Sequence, residues 1–379
     1  MQIKRTLKNS LIQKIKTSDK ILIIYGARQV GKTTLAQDIM QKLKLKTLQI
    51  NADEKKYHDI LSSRNKNKIE SLITGYELLF IDEAQRIPDI GINLKIIKDN
   101  FPSIKIIVTG SSSLDLANKT KEPLTGRTWT YQLFPISFLE LKNIYNDFEL
   151  YEKKDSFLIF GGYPEILSIK NIKEKKQFLE ELSSSYLYKD VLEITNIKYS
   201  QKIHQLLKLL AWQIGQEVSL SELGNNLGLS KDTVNHYLDL LEQSFIIFRL
   251  SGFSRNLRKE ITKMDKIYFY DLGIRNILIN NLNFLENRND LGSLWENFLI
   301  SERMKLMQYK KEIYTPYFWR TYTGAEIDYI EEREGKLFAY EIKVKSKKIK
   351  APQTWLQTYP DANFKLITTE NFLEFILKV

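Results

Sequence analysis

The stretch GARQVGKTT, residues 26–34, follows the apolar run ILIIY and matches the pattern GxxxxGK[ST] through Gly26, Gly31, Lys32 and Thr33. Its chemistry is phosphate binding. The glycines let the backbone N–H groups of Gly26, Ala27, Arg28, Gln29, Val30 and Gly31 curl round phosphate oxygens, and a helix opening at Lys32, Thr33 and Thr34 adds its positive end. Lys32 then reaches the β and γ phosphates, and Thr33 ligates Mg²⁺. A second apolar run, LLFIDEAQ, ends in Asp82 and Glu83. These acids complete the chemistry, with Asp82 in the metal shell and Glu83 polarising the attacking water. A plain glycine turn before a helix is the alternative. Two such motifs in this order, each at a strand end, favour ATP and Mg²⁺ as cofactors instead.

The elements that must position these residues are short Ile- and Leu-rich strands with helical patterns between them. ILIIY (21–25), TLQI (47–50), ELLFID (77–82), IKIIVTG (104–110) and WTYQL (129–133) read as buried strands of a parallel sheet, so the fold class is α/β. IKIIVTGSSS runs from a strand into polar residues. Ser111 there is a candidate for touching the γ-phosphate or the lytic water, against the alternative of a serine-rich turn. Arg127 in TGRTWTY and Arg86 beside the acidic pair are candidates for neutralising charge in the transition state, in cis or from a neighbouring subunit. A solvated or paired arginine is the competing reading for both.

GARQVGKTTL, LLFIDEAQRIPD, IVTGSSSLDL, GRTWTYQLFPISFLEL and FGGYPEIL, in this order, resemble the prokaryotic AAA+ ATPases of the archaeal-ATPase-like group with a DUF4143 C-terminal region. The resemblance runs over nearly the whole chain. It implies that Gly162 and Pro164 in GGYPEIL form the element with which a helical lid touches adenine. From the residues alone, Gly-Gly-x-Pro is a turn signal. At the sensor position this chain has Ser111 where many such motors carry asparagine, which bears on hydrolysis rate more than on binding.

SLSELGNNLGLSKDTVNHYLDLLEQ reads as helix, glycine-containing turn and a second helix capped by Ser230, with Val234, Leu238, Leu241 and Phe245 on one buried stripe. Lys231, Asn235 and His236 lie largely off that stripe and suit phosphate or base-edge contact in a recognition helix. FIIFRLSGFSRNLRKEITKMDKIYFYDLGI then reads as strand, basic turn and strand. Its Arg255, Arg258, Lys259 and Lys263 are placed to grip a DNA backbone. A winged helix used for protein packing is the alternative.

The last ninety or so residues read as a helix holding Glu296, then two strands joined at REGK, with Asp328 on the first and Glu341 and Lys343 on one face of the second. Carboxylates and a lysine converging at a sheet end suit Mg²⁺-dependent phosphodiester chemistry. The spacing resembles the PD-(D/E)xK nuclease core. That resemblance implies Glu296 as the helical acid, Asp328 and Glu341 as metal ligands, and Lys343 orienting water or steadying charge. Glu326 either assists or faces solvent, and Lys345, Lys347, Lys348 and Lys350 either hold DNA or are solvated.

Four segments are expected: an AAA+ P-loop core over 1–137, a helical lid over 138–200, a winged helix over 201–285 and a PD-(D/E)xK nuclease-like domain over 286–379. The chain has 379 residues, 43% hydrophobic, enough for more than one ordinary domain, and a net charge of +11 that points to a polyanionic partner. It has no cysteine, which excludes disulfides and thiolate chemistry, and its histidines, His58, His204 and His236, stand singly, against a histidine zinc site. Without an apolar stretch of 18 residues it is expected to be cytoplasmic. Two functions compete. In one, ATP turnover drives binding, remodelling or processing of DNA, duplex or branched, by a homo-oligomer that forms a ring. In the other, a slow nucleotide switch binds a protein partner and the nuclease-like domain is inactive.

Overall fold

In a computed structural model of the chain, residues 3–111, 124–194, 200–255, 264–345 and 348–379 are described, with backbone alone for 185–194 and 200. The five apolar runs form strands β1 (Ile21–Tyr25), β2 (Thr47–Asn51), β3 (Leu78–Asp82), β4 (Lys105–Gly110) and β5 (Thr128–Gln132). They pair in the order β2-β3-β4-β1-β5, all parallel. The inner strands β1, β3 and β4 are almost wholly buried because both faces are covered, whereas the edge strands β2 and β5 leave Gln49 and Thr130 exposed. From β1, Leu22 and Ile24 enter one core with Leu7 and Leu11 of the helix Leu7–Thr17, while Ile21 and Ile23 enter another with Leu94 and Ile97 of the helix Ile90–Asn100. Parallel strands also bring the C-terminal ends of β1, β3 and β4 to one edge, where a ligand crevice forms.

The helices Asp147–Phe160, Pro164–Ser168 and Ile172–Ile194 follow, then Ser200–Trp212, Leu220–Leu227 and Lys231–Gln243, and then β6 (Ile247–Gly252) and β7 (Lys266–Phe269). Ser230 caps the helix at 231 by accepting from the Thr233 amide, and Val234, Leu238 and Leu241 are buried along one stripe. Phe245 packs partly buried beyond that helix, and its φ of 58° turns the chain into β6.

The C-terminal part contains the helix Leu291–Lys310, β8 (Thr315–Arg320), β9 (Glu326–Arg333), β10 (Lys336–Ile342), β11 (Asn363–Ile367) and the helix Phe372–Leu377. β9 and β10 are joined at Glu334 and Gly335, both with positive φ, as a tight two-residue hairpin requires. One six-stranded sheet, ordered β11-β10-β9-β8-β6-β7, includes the wing strands. β6 runs parallel to β8 through Ser251 opposite Tyr317 and Gly252 opposite Phe318. The stretches read as winged helix and C-terminal segment therefore share a sheet. They also share a core, in which Phe138 packs edge-on against Phe157, Phe298 and Phe372.

Candidate functional site: a nucleotide crevice and a charged sheet end

The loop after β1 needs backbone that only glycine takes readily. A Cβ on Gly26 would overlap the Leu133 carbonyl, and Gly31, at φ 94°, starts the helix Lys32–Leu43. Lys32 is buried and donates from Nζ to the carbonyls of Gly26 and Ala27, each at 2.9 Å, so its ammonium sits inside the loop's curl. The Thr33 hydroxyl donates to Asp82 Oδ2 at 2.7 Å, and the Thr109 hydroxyl on β4 donates to the other Asp82 oxygen. Thr109 also accepts from the Glu83 amide at 3.3 Å. Gln85 donates to Glu83 at 2.5 Å and to Ser111 Oγ at 2.9 Å.

These contacts gather Lys32, Thr33, Asp82, Glu83 and Ser111 at one edge of the sheet. Burial, the largest influence, pushes the Glu83 carboxyl up, but Lys32, Gln85, Arg28 and Ser111 together outweigh it and hold it below the usual range. Glu83 is thus ionised and aimed by a neutral amide, as a group that polarises water should be. Arg127 is not brought to this edge. It precedes β5, so strand polarity puts it at the opposite end, where its carbonyl accepts from the Ile21 amide and its side chain pairs with Asp99 at 2.8 Å. Arg86 pairs with Asp53 at 2.6 Å.

Beside the loop lies a cavity of about 490 Å³, lined by Ile3, Arg5, Val30, Gly31, Thr34 and Pro164 among others. The loop, the buried ammonium and this cavity fit a nucleoside polyphosphate. Thr33 and Asp82 offer the oxygens a magnesium ion bound with it would take.

Arg5 went unread in the sequence. Its guanidinium donates to the Val30 carbonyl at 2.6 Å, the Phe134 carbonyl at 2.5 Å, Glu140 at 2.8 Å and the Tyr309 hydroxyl at 3.4 Å. Asp271 was likewise missed. It accepts from the Gly162 amide at 2.7 Å and from Gly273 at 2.9 Å, and a Cβ on Gly161 would overlap its carboxylate. The double glycine before Pro164 is thereby explained by close approach. Burial raises the Asp271 carboxyl above its usual range against the pull of the Gly162 amide and Lys305.

The expected C-terminal constellation lies at one end of the six-stranded sheet, with two lysines among the acids. Lys343 pairs with Glu341 at 2.7 Å and Asp328 at 3.2 Å, and Asp328 also accepts from the Ile342 amide at 2.7 Å. Lys266, at the start of β7 and buried, pairs with Glu326 at 2.5 Å and Glu296 at 3.4 Å. Tyr268 donates to Glu296 at 2.6 Å. Glu296 is pushed up to about 7, chiefly by burial, with Lys266 opposing. Burial pulls the Lys266 ammonium down, but its acids raise it on balance. Among the described residues, no three of these acids close on a point that could hold a metal ion. The Lys343 ammonium takes one oxygen of Asp328 and one of Glu341, so the expected ExK lysine stands between the two expected metal ligands.

Of the expected DNA contacts, Lys231 and His236 are exposed. Asn235 accepts from Arg249 at 3.3 Å, and Arg249 is also paired with Asp239 and Glu242. Arg258, Lys259, Lys263 and Lys347 lie outside the described residues. Among the described residues, no helix is long and apolar enough to cross a membrane.

Residues 18–142 match the family described as AAA domain, residues 151–284 the domain of unknown function DUF8612, and residues 291–373 the domain of unknown function DUF4143. An uncharacterized protein of Mycobacterium tuberculosis is 26% identical over 327 residues, covering 85% of this chain and 70% of that one. An uncharacterized protein of Methanocaldococcus jannaschii is 27% identical over 386 residues, covering 93% and 85%. Among solved structures, a Walker-type ATPase of Pyrococcus abyssi is similar at a TM-score of 0.49 and 15% identity, covering 72% of this chain and 94% of that one.

Proposed function

We propose, for a chain that joins an AAA-type P-loop ATPase domain to a DUF4143 C-terminal domain, that ATP turnover in the loop crevice is coupled to binding and remodelling of DNA. The observation that carries the ATPase half is the pair of hydrogen-bonded sets on adjacent strand ends, Thr33–Asp82–Thr109 and Glu83–Gln85–Ser111. Magnesium nucleotide, when bound, supplies the reacting phosphate and neutralises its charge. Lys32 steadies the phosphate oxygens, Asp82 and Thr33 hold the metal's shell, and Glu83 takes the proton of the attacking water while Gln85 orients its carboxylate. Arg127, at the far end of the sheet, has a role in turnover only from a second copy, in a homo-oligomer or ring.

The DNA half rests on the net charge of +11 and on cations gathered at the end of the six-stranded sheet. Because lysines already hold the C-terminal acids, this reading gives that domain a binding role rather than a cutting one. One observation favours the alternative of a nucleotide switch with a protein partner. The recognition helix carries Asp232, Asp239 and Glu242 against Lys231, a sign that repels phosphate.

The test is steady-state ATPase activity with and without single-stranded, duplex and four-way junction DNA. Lys32→Ala should abolish turnover, and Glu83→Gln should abolish it while nucleotide still binds. DNA should raise wild-type turnover in a salt-sensitive way. Turnover indifferent to every DNA refutes the coupling and leaves the switch.

A further inference from the structure

The shared sheet determines which segments meet at its charged end. β6 ends at Gly252 beside Phe318 of β8, and Phe253 continues alongside by donating to the Phe318 carbonyl at 2.6 Å, so the wing turn departs where β8 finishes. β8 then turns into β9 through residues 321–325. β9 and β10 are antiparallel, with Tyr329 opposite Tyr340, so the start of β9 lies beside the exit of β10 at Lys343. Three connections far apart in sequence are thereby brought to one sheet end.

Each of them carries exposed cations: Arg255 from the wing, over the Tyr359 ring, Arg320 at the close of β8, in loose pairs with Glu217 at 3.7 Å and Glu326 at 3.9 Å, and Lys345, Lys348 and Lys350 after β10. Between them the β8–β9 turn holds up Tyr322, which is fully exposed. That turn is well pinned. Thr321 donates its amide to the Ala325 carbonyl at 2.9 Å, the Ala325 amide returns to Thr321 Oγ1 at 3.1 Å, and the Gly324 amide donates to the Thr321 carbonyl at 3.1 Å. An aromatic ring on a rigid turn, flanked by cations, is the pairing of stacking platform and electrostatic groove that unpaired nucleic acid needs. The recognition helix has the opposite character, being net acidic, with Asn235 engaged by Arg249.

We propose that this sheet end holds an unpaired DNA strand, with Tyr322 stacking on one base and Arg320, Lys345 and Lys348 meeting the backbone phosphates. The proposal rests on the DNA reading above and specifies where and in what form DNA is held. It assigns the grip to the seam between wing and C-terminal strands rather than to the recognition helix.

Fluorescence anisotropy with labelled oligothymidylate and with a duplex, at low and physiological salt, tests it on the full chain. Tyr322→Ala should weaken oligothymidylate binding about tenfold and leave duplex binding nearly unchanged, whereas Tyr322→Phe should bind as wild type. Lys345, Lys348 and Lys350 changed together to Ala should flatten the salt dependence. A thermal melt matching wild type shows that each variant is folded. If the Tyr322 and lysine variants bind like wild type while Lys231→Ala with His236→Ala loses binding, the recognition helix is the DNA face. The sheet-end site is then refuted, although the DNA reading survives. If wild type binds no DNA at either salt, the DNA reading itself fails and takes the sheet-end site with it.

Discussion

Changing Glu296 to Gln probes the charged sheet end directly. The carboxyl is buried, accepts from Tyr268 at 2.6 Å and faces Lys266 at 3.4 Å, with Asp328 and Glu326 adding to its rise from an ordinary 4.5 to about 7. Between those values the folded chain keeps a proton that the unfolded chain has lost. Stability from this group is therefore fully present below pH 4.5 and is lost as pH climbs through about 7. At about 1.4 kcal/mol per pH unit, the whole loss is about 3 kcal/mol. The amide of the Glu296→Gln variant cannot ionise but can still accept from Tyr268, and Lys266 keeps Glu326. Relative to the variant, wild type should therefore lose most of those ~3 kcal/mol between about pH 5 and pH 8. Urea unfolding followed by tryptophan fluorescence reads this difference, since Trp295 is buried next to the site. Other titrating groups are common to both proteins and largely cancel. Curves that stay parallel across this range would refute the reasoning.

Arg5→Ala leaves the buried Glu140 without its cation and the Val30 and Phe134 carbonyls without their donor, so stability should fall by about 3–5 kcal/mol. Saturating nucleotide should restore part of the melting temperature while its Kd rises, and an unchanged Kd would confine Arg5 to a structural role. Asp271→Ala removes the acceptor of the Gly162 amide and should raise the KM for ATP more than it lowers kcat, because Pro164 loses its placement. Equal KM values in variant and wild type would separate that turn from the nucleotide.

The nucleotide crevice was legible because its chemistry is local: six residues of loop, a strand end and a helix start carry it, and the acids of LLFIDEAQ close the next strand but one in the sheet. Arg127 stands away from the crevice of its own chain, which narrows its expected role to one from a neighbouring subunit, for a reason the sequence does contain. A residue that precedes a parallel strand belongs to the end of the sheet away from the crevice. Arg5 could not be read, since its partners lie 25 to 304 residues away and no spacing rule links them. Lys266 was hidden similarly. Its approach to Glu296 and Glu326 depends on β6 joining β8, a pairing of only Ser251–Tyr317 and Gly252–Phe318. Asp271 left a faint trace as the N-cap of the helix Leu272–Leu278, accepting from Gly273 and Ile274, but nothing in that signal points to Gly162.

These unread residues share a neighbour, and it bears on how turnover in the crevice could be felt at the sheet end. The helix Leu291–Lys310 carries Glu296 near one end, among the paired lysines, and Tyr309 near the other, where its hydroxyl accepts from Arg5 and from the Phe134 amide. Between them Glu302 accepts from the Phe138 amide at 2.7 Å, which ties the helix to the chain after β5, and from Lys305 of the same helix at 2.6 Å. The separation from Glu296 to Tyr309 is about 20 Å of continuous helix. A buried helix is a stiff body, so a shift of Arg5 when Val30 moves against phosphate would be passed on as a displacement of the whole rod rather than dissipated locally. For that to count as coupling, nucleotide and DNA must each favour one of two rod positions, and each must then strengthen or weaken the other's binding by the same factor. Under the DNA reading proposed above, the Arg5 contact would have to supply the first bias and the Glu296–Lys266 pair the second, since these are the contacts the helix makes at its two ends.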